Sequence, residues 1–167
     1  EPAVKPACLH TRSGVVGVLA TERSLDGELF RRTAARYGRG IEVVTAPGKG
    51  FVELVESDRE ATPEAEECVR RAMAGMLERG ADQIVLGCTH YPFLMPVFER
   101  IVAGRDVTII DPSPAVARRT AQLLDQYGLR AAPDHRPTYE FRTFADEAYR
   151  ERLRAKAFAD ADTPAAR

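Results

Sequence analysis

This chain has no excess of charge, no membrane-length apolar run and no cysteine framework. Acidic and basic residues nearly cancel, leaving a formal charge of −1, so no overall field draws it to nucleic acid or to an anionic membrane. No apolar stretch approaches the ~18 residues that a membrane span needs. The three cysteines, Cys8, Cys68 and Cys88, stand at wide, unpatterned spacing, which argues against disulfides and for a reducing, cytosolic setting. No Walker or dinucleotide fingerprint occurs, and GKG at 48–50 is too short for a phosphate loop, so a nucleotide cofactor has no support. No signal peptide is visible. The chain opens Glu1-Pro2-Ala3 without a methionine, from which further sequence upstream is expected.

What is present is ordinary for a folded domain: 167 residues, 44% hydrophobic and 29% charged, enough for one domain or two small lobes. VVGVLAT at 15–21, IEVVTA at 41–46, QIVLG at 83–87 and VTIID at 107–111 are short apolar runs that read as strands, with TYEFRT at 138–143 as a fifth. Between them, helical spacing predicts helices over 24–37, 62–79, 114–127 and 146–158, and a turn or two in FVELVES at 51–57. The 62–79 helix has a complete start signal, with Thr62 as cap, Pro63 at its first position and acids in the first turn. Strand, polar turn and helix in repetition argue for an α/β fold, its sheet mainly parallel and flanked by helices. In such folds ligands bind beyond the carboxyl ends of the strands. Three of those ends are polar here: Thr21 with Ser24, then Cys88-Thr89-His90, then Asp111.

Cys88 is the centre of the chemistry. Buried cysteines are mostly inert, but this one follows Gly87 at a strand end, with a hydroxyl and an imidazole beside it. His90 is able to hold charge near neutral pH. Cys-x-His supplies two ligands where zinc takes three or four, and His10 and His135 lie in proline-containing segments, so no metal is expected. Glu56 reads equally as a solvated helix acid or as a functional one. Asp111 reads as a cap for the next helix, while Cys68 and Cys8 read as structural, the latter in an N-terminal coil. Two chemistries fit a thiol, Thr and His without metal or cofactor. One is nucleophilic hydrolysis with His activating Cys. The other is proton transfer at carbon with Cys as base or acid. Local sequence leaves both open.

EPAVKPA at 1–7, GVLAT at 17–21, FVELVE at 51–56, LGCTHYPFL at 86–94 and IIDPSPAVARR at 109–119 together resemble the glutamate racemases of the cofactor-independent aspartate/glutamate racemase superfamily. The likeness runs from residue 1 to about 127, and LGCTHYPFL is its most specific part. It implies a two-lobed enzyme that interconverts L- and D-glutamate with two cysteines and no cofactor, feeding peptidoglycan synthesis in the cytoplasm. It implies glutamate as the small-molecule partner, no nucleic acid and no membrane, and it admits a homodimer. By the resemblance Cys88 is the second catalytic cysteine, serving the L-glutamate face. Thr89 and His90 bind substrate or assist that cysteine, and Glu56 supports the histidine. Thr21 and Ser24 fall in a loop that helps hold the substrate carboxylate.

The sequence departs from the family pattern at Arg23, Ser24 and Gly27 after GVLAT, and at Ala46-Pro47-Gly48, where a Cys-Pro pair is common. The larger departure is the lack of a Cys-Asn-Thr motif carrying the first cysteine. The expectation is therefore a C-terminal portion with a complete Cys88-bearing lobe over 12–105 and a return segment of a second lobe over 106–158. Residues 1–11 and 159–167 are read as linker and tail. Inversion needs a proton removed from one face of a carbon and delivered to the other, so Cys88 alone is expected to give no useful racemisation. Two other readings are a one-cysteine decarboxylase of the same superfamily and a non-catalytic module that binds an acidic ligand or a partner chain.

Overall fold

The four apolar runs between residues 15 and 111 become one parallel sheet. The computed structural model describes residues 2–159, divided into two compact units, Glu1–Gly128 and Leu129–Arg167. In the first unit the strands are β1 (Val15–Ala20), β2 (Glu42–Pro47), β3 (Gln83–Leu86) and β4 (Thr108–Ile110). They lie in the order β2-β1-β3-β4 with every pairing parallel. The two central strands are buried on both faces, which is why they read as unbroken apolar runs rather than alternating ones.

Each face has its own core. Side chains alternate along a strand, so Leu19, Ile84 and Leu86 point one way and Val16, Val18 and Val85 the other. The first set packs with α4 (Phe51–Glu56), α5 (Pro63–Glu78) and α6 (Met95–Val102), whose Phe51, Leu54, Met73, Met76 and Phe98 are buried. The second set is covered by α1 (Val4–His10), through Val4, Ala7 and Cys8, and by Phe30 of α3 (Glu28–Tyr37). The α5 start is the expected one: Pro63 opens the helix and the Thr62 side chain accepts the Ala65 N–H.

The structure departs from the sequence reading in four places. Residues 1–11 are not a linker, because 4–10 form α1, with Ala7 and Cys8 buried. Pro6 falls in its first turn, where backbone N–H groups have no helical partner to lose. Cys8 is thus a helix residue of the core, and burial pushes its thiol pKa up. The expected helix over 24–37 is two helices, α2 (Glu22–Leu25) and α3, separated at Gly27. Thr21 starts α2 early by accepting the Ser24 N–H.

The third departure is β4. It lies in the segment assigned to a second lobe from residue 106, yet it pairs with β3, Gln83 to Thr108 and Val85 to Ile110. Backbone polar groups at the free edge of β3 need partners, and β4 supplies them. In the second unit, 138–143 is not a strand. The rings of Tyr139 and Phe141 instead meet Phe158 of α8 (Glu147–Phe158) edge-on, at 5.0 and 5.7 Å. The described residues of that unit offer no strand edge for 138–143 to join.

Candidate active site

Cys88 stands two residues beyond β3, at the carboxyl end of the sheet, as the fold class predicts. Gly87 is what lets the chain reach that point. A Cβ there would lie 2.8 Å from the Ala20 Cβ and 3.0 Å from the Leu19 carbonyl oxygen, and the Gly87 N–H donates to that same oxygen at 2.7 Å. The end of β3 is therefore drawn tightly against the end of β1, and the thiol emerges half-buried at the rim. Past it the chain turns through a short 3₁₀ helix, Tyr91–Leu94, into α6.

His90 and Glu56 form a row behind the sulfur. Cys88 Sγ is 4.0 Å from His90 Nδ1, and His90 Nε2 is 3.2 Å from Glu56 Oε1. A carboxylate only accepts, so it holds the proton on Nε2 and leaves Nδ1 facing the thiol. Glu56 is the last residue of α4, and α4 is fixed by its own apolar face: Phe51, Leu54 and Val55 are buried. Two elements distant in sequence thus bring their polar ends together because their apolar faces share one core.

Tyr91 ties these parts together. Its ring is fully buried, edge-on to Phe51 at 5.0 Å. Its hydroxyl donates to the Gly48 carbonyl oxygen at 3.4 Å, and its N–H to the Cys88 carbonyl oxygen at 3.2 Å. A Cβ on residue 48 would fall 2.4 Å from the Tyr91 oxygen, so the close approach requires glycine there. Burial, helped by the nearby Cys88 charge, pushes the Tyr91 phenol up to about 12; it stays neutral and donates a hydrogen bond.

In front of the thiol is a cavity of about 750 Å³. Cys88, Thr89 and Ser24 are on its wall, with apolar surface from Val18, Phe30 and Val116. His90 and Glu56 are not on that wall. Thr21 borders a neighbouring cavity of about 500 Å³ with Tyr91 and Glu53. Its hydroxyl is linked to the Ser24 hydroxyl, on the main cavity's wall, by a 2.8 Å hydrogen bond. Asp111 stands one residue ahead of the N-cap of α7 (Ser113–Gln126), which is Pro112, and its Oδ1 accepts the Ser113 N–H at 2.8 Å. Sequence reasoning missed Ser113, which also lines the main cavity. Its place on the cavity wall follows from the pairing of β4 with β3, which brings the start of α7 to this end of the sheet. Among the described residues no group of three or more His, Cys, Asp or Glu is placed to hold a metal ion.

The order of these motifs has a counterpart in known proteins. The family described as Asp/Glu/Hydantoin racemase matches residues 1–120. The chain belongs to that family. Among its relatives, the glutamate racemase of Roseiflexus sp. (strain RS-1) is 46% identical over 128 residues, covering 77% of this chain and 47% of that protein. A glutamate racemase isoform from Bacillus anthracis has the same fold, with a TM-score of 0.80 at 23% identity, over 95% of this chain and 59% of that one. The Escherichia coli glutamate racemase, solved in complex with L-glutamate and the activator UDP-MurNAc-ala, matches with a TM-score of 0.70 at 28% identity. That match covers 90% of this chain and 56% of that one. This racemase-family chain therefore spans about half the length of the curated relatives it matches.

Proposed function

We propose that this chain is the Cys88-bearing half of a glutamate racemase. The observation that carries the reading is the row Cys88–His90–Glu56 opening onto a cavity at the end of a parallel sheet, in a chain of this family. The thiolate of Cys88 takes the α-proton of L-glutamate, or returns it as a thiol in the reverse direction. His90, with Nδ1 toward the sulfur, holds the proton that the thiol gives up, and Glu56 keeps the imidazole in that tautomer and orientation. Thr89 and Ser24, the latter steadied by Thr21, bind the substrate's polar groups at the cavity wall. No cofactor takes part.

One thiol serves one face of the α-carbon. The opposite face needs a second acid or base, and by the resemblance a cysteine of the N-terminal half provides it. We place the boundary of the Cys88 lobe after β4, so that the sheet is complete at Ile110 and α7 begins the return toward a second lobe. D-Glutamate made this way would enter peptidoglycan synthesis in the cytoplasm, with the enzyme working free of membrane and nucleic acid. The matched relatives are racemases, which weighs against a one-cysteine decarboxylase.

Circular dichroism of glutamate solutions tests the reading. The chain alone is expected to leave both enantiomers unchanged over hours. Addition of the N-terminal half of the Roseiflexus relative is expected to drive each enantiomer toward the racemate. Signals that persist in the mixture, with both halves folded, would contradict the proposal.

A further inference from the structure

We infer that Ser113 is a substrate-binding residue of this site, an acceptor for the ammonium group of the amino acid. The inference rests on glutamate being the ligand at Cys88, and it gives a role to a residue that the site described above leaves unassigned. Two observations place the residue. The β3–β4 ladder pairs Val85 with Ile110, so the two strands end side by side, one leading into Cys88 and the other into Ser113 at the start of α7. Ser113 and Cys88 also line the same cavity of about 750 Å³.

Its hydrogen bonding selects the kind of group it takes. A hydroxyl has one hydrogen and two lone pairs. The Ser113 hydroxyl donates that hydrogen to Asp111 Oδ1 at 2.7 Å, and its backbone N–H goes to the same oxygen at 2.8 Å. Both donors of Ser113 are thereby spent, and what remains is an oxygen acceptor with a carboxylate one bond behind it. That arrangement repels a carboxylate and attracts a cation. A zwitterionic amino acid carries its ammonium on the same carbon that gives up the proton to the thiol. An acceptor lining the same cavity as Cys88 is therefore suited to that group. Thr89 and Ser24, on the same cavity wall, are left for the carboxylates.

The test compares L-glutamate with glutarate, which keeps both carboxylates and lacks the ammonium. The chain is mixed with the N-terminal half of the Roseiflexus relative. Protection of Cys88 from iodoacetamide is then read by mass spectrometry, with Cys8 and Cys68 as internal references. In the unaltered protein glutamate is expected to protect at about tenfold lower concentration than glutarate, the scale of one hydrogen bond to a charged group. Ser113→Ala keeps the backbone bond to Asp111 and is expected to erase that preference, while Ser113→Thr restores it. A Ser113→Ala protein that keeps the full preference overturns the assignment and leaves the glutamate reading standing. Failure of glutamate to protect the unaltered protein overturns the glutamate reading, and the role of Ser113 falls with it.

Discussion

Two polar side chains show how differently a single residue contributes here. His90 has Cys88 on one nitrogen and Glu56 on the other, the arrangement on which the proposed proton transfer rests. Asp82 is buried at the opposite, amino-terminal end of β3 and accepts from the Thr11 hydroxyl at 2.6 Å, the Arg12 N–H at 2.6 Å and the Ser13 N–H at 3.0 Å. Burial alone would raise its pKa, but these hydrogen bonds outweigh it and the net shift is downward. A carboxyl with a lowered folded pKa binds its proton less tightly when folded. It therefore stabilises the fold above its unfolded value of about 4, and that stability is lost as pH falls through the folded pKa. Asp82→Asn is expected to lower the urea midpoint at pH 7 and to flatten its dependence on pH below about 4. An unchanged acid dependence in the variant would remove Asp82 as the cause. This staple fixes the loop between α1 and β1, far from the thiol, so it holds the frame and does no chemistry.

At the scale of elements, the site depends on how closely β1 and β3 end together. Gly87 makes that approach, and its neighbours there are backbone and a Cβ rather than the flexible end of a long side chain. Gly87→Ala is expected to destabilise the fold by about 1–3 kcal/mol, the usual cost of forcing a methyl into a packed position. It should also displace Cys88 and slow its alkylation. Equilibrium unfolding and thiol labelling of the same variant check both effects; a variant as stable as the parent would show that the strands separate freely.

Elements were legible in the sequence where one local signal decided them. The buried runs gave β1 and β3, and Thr62-Pro63 gave the start of α5. Cys88, Thr89 and His90 were legible as a strand-end cluster for the same reason. The helix α1 was hidden because Pro2 and Pro6 look like coil, and prolines are harmless only in a first turn. The break at Gly27 depended on Thr21 capping a four-residue helix. The alternation in 138–143 is a true strand pattern that meets no edge. The wall that α3 and α7 give the cavity was not legible, because it follows from sheet order rather than from any local pattern.

For the molecule as a whole, the decisive quantity is how much of an active enzyme this chain supplies. It covers 47% of the Roseiflexus relative, and its site offers one thiol on one wall of a wide cavity. The helix α7 is amphipathic yet has no buried residue, and Val116 and Leu124 are exposed along it. These features agree with the proposal that the chain supplies half of a two-sided site. Proton NMR of L-glutamate in deuterated water measures that role most directly, with the chain and the N-terminal half of the Roseiflexus relative mixed. The account predicts that the α-proton signal of L-glutamate disappears with the unaltered chain and persists with Cys88→Ser. Exchange from L-glutamate that continues undiminished in the Cys88→Ser mixture would show that another group removes the proton, and the central claim would be wrong.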